Sequence, residues 1–154
     1  MMADADHLTI RIATDEDLRS IVAHYGPGGG ESPWDPFANI DRIQRIPRTG
    51  MLVALMDGGY AGFLYWYEAR KPWYAPDADR YARISDLHIV PDAQGKGIGR
   101  ELLREAIARI RSQGITTVFL ETDQDNTRAQ DLYESEGFTK VAPGIIRFRL
   151  RQDK

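Results

Sequence analysis

Three glycines fall within five residues in Gln94-Gly95-Lys96-Gly97-Ile98-Gly99-Arg100, which follows an apolar stretch over residues 84–90 and Pro91. Helical periodicity begins directly after them, so the run reads as strand, glycine turn, helix. Such a turn leaves several backbone N–H groups without intrahelical acceptors at a helix start. The helix dipole favours negative charge at the same place, which suits a phosphate or pyrophosphate. Lys96 and Arg100 add formal positive charge. The same glycines also fit a tight strand-to-helix connection that holds nothing, and the turn alone does not separate the two readings. It is not the dinucleotide fingerprint, whose third glycine would fall at position 100 when counted from Gly95. Nor is it a P-loop, which requires Gly-Lys-Ser/Thr after four spacers.

Elements on both sides must position this turn. Leu8-Thr9-Ile10-Arg11-Ile12 alternates as a strand, and Thr14-Asp15-Glu16-Asp17 supplies a capping side chain and acidic residues ahead of a helix over 18–25. Gly26-Pro27-Gly28-Gly29-Gly30 is expected to stop that helix and lead into a loop carrying Trp34 and Asp35. A short helix is expected over 40–46. Strands over 51–56 and 60–67 flank Asp57-Gly58-Gly59, a hairpin signal because glycine permits positive φ. A loop is expected over 68–79 before the strand at 84–90. After the turn, Leu102, Leu103, Ala106, Ile107 and Ile110 recur at helical spacing, residues 116–122 read as a buried strand, and Asn126 caps a helix ended by Gly137. Strands over 138–141 and 145–150 close the chain. This order gives a mixed α/β sheet, since the hairpins exclude a purely parallel one.

With 154 residues the chain has the length of one domain, and its 42% hydrophobic and 28% charged residues are ordinary globular values. No cysteine is present, which removes disulfides, thiolate catalysis and Cys-ligated zinc. Three scattered histidines give no metal constellation, so no metal is expected. A net charge of −3 argues against nucleic acid as the principal partner. The acidic start Met1-Met2-Ala3-Asp4-Ala5-Asp6 lacks the regions of a signal peptide, and no apolar run reaches the length of a membrane span. A cytoplasmic, soluble protein without membrane contact is the expectation.

Two blocks of residues together resemble the GNAT superfamily of N-acetyltransferases. The first is Leu87-His88-Ile89-Val90-Pro91 followed by Gln94, Gly97 and Gly99; the second is Asn126, Ala129, Leu132-Tyr133-Glu134 and Gly137-Phe138. The likeness covers residues 84–138. It implies a single domain over 1–154, with an acceptor-side half over 1–80, an acetyl-CoA-binding core over 81–138 and closing strands over 139–154. It also implies an α/β fold with a mixed, largely antiparallel central sheet, flanking helices and a splayed central strand pair that forms the cofactor cleft. In that family, backbone groups matching Leu87, His88 and Ile89 hold the pantetheine arm of acetyl-CoA. Residues matching Gln94, Gly95, Lys96, Gly97, Ile98, Gly99 and Arg100 hold its pyrophosphate. Asn126 matches a residue contacting the cofactor arm, and Tyr133 matches the residue beside the thioester sulfur.

Acetyl transfer to an amine requires a neutral amine and a protonated leaving thiolate. A phenol with pKa ~10 can protonate a thiolate whose conjugate acid lies near ~8.5. The resemblance therefore implies Tyr133 as the acid, although periodicity alone makes it a core aromatic. Glu121 sits where some members carry the base, and reads otherwise as a carboxylate at a solvated strand end. Asp86 and His88 are able alternatives that share strand parity, while Arg83 and Ser85, at positions where other members place bases, are poor ones. Direct attack in a ternary complex is implied, because no cysteine can carry the acetyl group. Trp34, Asp35, Trp66, Trp73, Tyr74, Asp77 and Asp79 could border a site for a cationic amine of a small molecule or peptide, with Trp66 reading more simply as core. Dimers are common in the resembling family, so a homodimer is compatible. The competing reading is a non-catalytic acyl-CoA-binding or sensing module.

Overall fold

A computed structural model describes residues 7–29, 36–69, 80–142 and 146–151 of the chain. The elements in chain order are β1 (Leu8–Ile12), α1 (Asp15–Gly29), α2 (Ile40–Ile43), β2 (Met51–Met56), β3 (Gly59–Ala69), β4 (Tyr81–Ile89), α3 (Ile98–Ser112), β5 (Thr117–Thr122), α4 (Thr127–Ser135), β6 (Thr139–Ala142) and β7 (Ile146–Arg151). The strands form one mixed sheet in the order β1-β2-β3-β4-β5-β7-β6. β1 with β2, β2 with β3, β5 with β7 and β6 with β7 are antiparallel. β4 and β5 are parallel, as the intervening helix requires. Their register joins residues 81–84 to 117–120, and β4 runs on to Ile89. Among the described residues no helix is long and apolar enough to cross a membrane.

The chain divides into two compact units, one of Met1–Tyr65 with Asp86–Glu105 and the other of Trp66–Ser85 with Ala106–Lys154. In the first unit, α1 starts on a reciprocal cap: Thr14 Oγ1 accepts from the Asp17 N–H at 3.2 Å, and Asp17 Oδ2 accepts from the Thr14 N–H at 2.9 Å. Asp17 is buried and also accepts from the Arg11 guanidinium, so the charge it carries is paired. Leu18 and Ile21, spaced to share one helix face, enter a core with Phe37, Ile43, Met51, Val53 and Phe63. The β2–β3 hairpin turns through Asp57 (φ 52°) and Gly58 (φ 83°), the paired left-handed conformations of a type I′ turn, as the glycine signal predicts.

In the second unit the even positions of β5, Val118 and Leu120, are buried, and Phe148, opposite Leu120, is fully buried against Tyr133 at a ring separation of 5.6 Å. The odd positions face the other way, where Phe119 meets Tyr81 edge-on at 5.8 Å with Ala69 and Val141 beside them. Arg80 ties this unit together through a fork onto Glu68 and a 2.7 Å bond to the Gln113 carbonyl.

One sequence expectation is corrected. α1 does not stop at Gly26 but runs through Pro27 to Gly29. Proline removes one backbone donor, a loss that remains affordable in the final turn, and glycine lowers helix propensity without forbidding helical angles. β4 begins three residues earlier than residue 84, β3 reaches Ala69, and a short 3₁₀ turn, Pro91–Ala93, separates β4 from the glycines. The Trp34 and Asp35 loop and Trp73, Tyr74, Asp77 and Asp79 lie outside the described residues. Trp66 is buried, in keeping with the core reading.

Candidate functional site

The glycine turn is built from the end of β4. The Val90 N–H donates to the Ala61 carbonyl at 2.9 Å, which fixes the strand end before Pro91 turns the chain. The Gln94 side chain then reaches back, its Nε2 donating to the Ile89 carbonyl at 3.1 Å, so this residue closes the turn from within. Gly95 and Gly97 hold φ of 80° and 81°, a region that costs an L-residue strain. A Cβ at Gly97 would stand in open space. The glycine is therefore demanded by its backbone angle, and room remains above it for a ligand to approach the amides.

α3 starts on the buried Ile98, and its first internal bond runs from the Glu101 N–H to the Gly97 carbonyl at 3.1 Å. The N–H groups of Lys96, Gly97, Ile98 and Gly99 make no backbone hydrogen bond among the described residues. This cluster of donors at a helix N-terminus, with the exposed Lys96 beside it, fits a phosphate-bearing ligand.

Behind the turn, Gly62 of β3 presses on β4. A Cβ there would lie 2.7 Å from Ile89 Cδ1 and 3.1 Å from Ile89 Cα, closer than side chains tolerate. Leu87, His88 and Ile89 thus sit on a strand segment whose path is set by a glycine opposite. His88 turns its ring toward Tyr25 and Phe63, at centroid distances of 5.0 and 6.4 Å, and its buried Nδ1 has no hydrogen-bond partner. Burial, and secondarily His24, hold the imidazole below its ordinary pKa, so it is neutral at pH 7. Asp86, two residues back, accepts from the Tyr25 hydroxyl at 2.8 Å. His24 lies within α1, exposed, with Nδ1 on the Ser20 carbonyl at 2.8 Å.

All of the turn residues and Leu87, His88 and Ile89 belong to the first unit; Glu121, Asn126 and Tyr133 belong to the second. Asn126 is the N-cap of α4, its Oδ1 accepting from the Ala129 N–H at 3.1 Å. Tyr133 is 8% exposed and lies between Phe138 and Phe148, and burial raises its pKa above that of a free phenol. Glu121 projects from the opposite sheet face and is ion-paired with Arg83 of β4. Sequence reasoning passed over this partner, because Arg83 is no base and a parallel register is not written in one strand. No signal in the sequence joined the two, since Arg83 lies just before the strand expected over 84–90.

A strand leading into left-handed glycines and a helix with open amides, on a mixed sheet with a parallel β4–β5 pair, defines an α/β protein whose strand–turn–helix unit presents open amides at a helix start. The family model described as the acetyltransferase (GNAT) family matches residues 15–138, and the chain belongs to that family. Acetyl transfer from acetyl-CoA is the chemistry of the class. A mycothiol acetyltransferase of Thermomonospora curvata is 31% identical over 145 residues, 94% of this chain and 39% of that protein. The chain thus spans about two fifths of the length of that curated relative. A putative acetyltransferase, yncA, from Salmonella typhimurium, solved with acetyl-CoA, superposes with a TM-score of 0.75 at 21% identity, covering 96% of this chain and 95% of the other. The ribosomal-protein-S18-alanine N-acetyltransferase of Escherichia coli gives 0.72 at 21% identity, with 96% of each chain covered. These two likenesses concern the fold.

Proposed function

We propose that the chain transfers the acetyl group of acetyl-CoA to a primary amine of a small molecule or peptide by direct attack in a ternary complex. The observation that carries this reading is the open amide cluster at 96–99 over left-handed Gly95 and Gly97, in a chain that also carries the capped Asn126 and the buried, protonated Tyr133. The amides and Lys96, with Arg100, are suited to the pyrophosphate. Leu87, His88 and Ile89 offer strand backbone to the pantetheine arm, although the Ile89 carbonyl is already used by Gln94. Asn126 spends Oδ1 on its cap, which leaves the amide nitrogen for the arm.

In the proposed reaction Glu121 takes a proton from the acceptor ammonium. The neutral amine attacks the thioester carbonyl, a C–N bond forms and the C–S bond breaks. Tyr133 gives its phenolic proton to the departing sulfur and recovers one from the nitrogen, so the products are the amide, free thiol and one proton on Glu121.

The test is release of free thiol from acetyl-CoA across a panel of amines, with mycothiol-related amines included because the curated relatives bear that name. Thiol release dependent on one amine class is expected. Stabilisation by acetyl-CoA without release on any amine would instead indicate an acyl-CoA-holding module, and no stabilisation at all would remove the donor site.

A further inference from the structure

The end of α1, residues 22–29, holds helical shape against its own sequence. Gly26, Gly28 and Gly29 lower helix propensity, and Pro27 has no N–H to give the Ala23 carbonyl one turn back. Packing must supply what propensity does not. His24 lies against Tyr60 of β3 at a centroid distance of 4.9 Å, and Tyr25 meets Phe63 of β3 at 5.1 Å, Phe37 at 5.5 Å and His88 of β4 at 5.0 Å. Tyr60 and Phe63 are three residues apart, so a regular strand would turn them to opposite faces. A bulge prevents this: Leu55 stands opposite Tyr60 and Ala54 opposite Gly62, with Ala61 as the extra residue, and both rings pack with the core beneath α1. All of these residues lie in the first unit.

The layer under this helix end suits neutral rings. Tyr60 Oη and His88 Nδ1 are buried without a hydrogen-bond partner. Tyr60 keeps its proton, through burial first and Asp17 second. Toward His88, α1 presents Tyr25 and, at longer range, His24, and β3 presents Phe63. On β4 itself Asp86 shares the strand face of His88 and accepts from the Tyr25 hydroxyl. In an imidazolium both ring nitrogens are donors, so protonation would make Nδ1 a charged donor with no acceptor in place, and the ring would repel His24. It would also compete with Tyr25 for the Asp86 carboxylate. We propose that residues 22–29 form a proton-sensitive lid on β4, seated on neutral His88 and lifted when His88 takes a proton. The reciprocal cap of Thr14 and Asp17 and the buried Leu18 and Ile21 hold the first half of α1, so the motion begins at Val22. Lid motion requires no acetyl transfer and stands apart from the function proposed above.

Amide hydrogen exchange from pH 8 to 5, corrected for the intrinsic rate at each pH, reads the lid. Protection over 22–29 should fall by up to tenfold for each pH unit below ~6.5, the value of a free imidazole. Sub-denaturing urea separates local from global opening: exchange over 22–29 should be nearly insensitive to it, because little surface is exposed, whereas exchange over 98–112 should quicken. His88→Phe keeps a ring against Tyr25 and has no proton to take, so protection over 22–29 should stay high and flat with pH. His88→Gln, which loses the ring, should give protection that is lower and equally flat. His24→Gln should retain the fall in reduced size. A fall that persists in the His88 variants, or one abolished by His24→Gln, would place the sensor elsewhere and overturn the assignment. Equal urea sensitivity over 22–29 and 98–112 would mean that α1 opens only with the whole protein, and would remove the lid.

Discussion

At Tyr133 burial acts on chemistry and on stability through the same proton. Held between Phe138 and Phe148 with a raised pKa, the phenol remains a donor throughout the neutral range. Tyr133→Phe keeps the ring contacts and removes the proton, so turnover should fall about 10²-fold while the acetyl-CoA Kd stays within about twofold. Single-turnover rates and a binding titration separate the two, and unaltered turnover would take Tyr133 out of the mechanism. The sign for stability follows from linkage. A tyrosine whose folded pKa lies above ~10 keeps its proton in the native state after the unfolded chain has lost it. Stability is then undiminished below about pH 10 and declines as pH rises further; Tyr60, raised by burial and by Asp17, works in the same direction. His88 gives the opposite limb: neutral when folded, it opposes folding once the unfolded imidazole protonates below about pH 6.5. Thermal midpoints from pH 5 to 8 should fall on the acid side, and His88→Gln should flatten that fall.

Glycines and caps decide what the elements can present. Gly62→Ala would drive a methyl into the backbone of His88 and Ile89, a cost of about 1–3 kcal/mol with movement of the strand that precedes the turn. Gly97→Ala meets no atom, so its cost is the left-handed angle, about 1–2 kcal/mol. Urea titration should show both losses, and only Gly62→Ala should also shift the amide signals of Leu87 to Ile89. Asn126→Ala should cost about 1 kcal/mol of the helix it caps, with Asn126→Ser restoring most of it. The turn, the cap and every strand of the sheet were legible from periodicity and glycine placement, because those signals are local. The extension of α1 through Pro27 was not, since local breakers compete with tertiary packing that a sequence window does not contain. The Arg83–Glu121 pair was illegible for a stronger reason: it depends on a register between strands separated by α3, and one sequence holds no measure of that register.

For the molecule as a whole, the two units are interleaved along the chain. β3, β4 and α3 each pass from one unit into the other, at Tyr65–Trp66, Ser85–Asp86 and Glu105–Ala106. A strand or helix whose halves serve different units couples their unfolding, because melting one half removes the hydrogen-bonded frame of the other. Heating should therefore give one transition, with calorimetric and van't Hoff enthalpies equal. Acetyl-CoA bound at the turn of the first unit should therefore move that single transition as a block. At a hundredfold excess over Kd the gain is about 2.7 kcal/mol, or roughly 5–10 °C for a chain of this size. Gly97→Ala should cut the shift and Tyr133→Phe should preserve it. Two resolved transitions of which acetyl-CoA moves one would mean that the units melt separately, against the coupling that β3, β4 and α3 should impose.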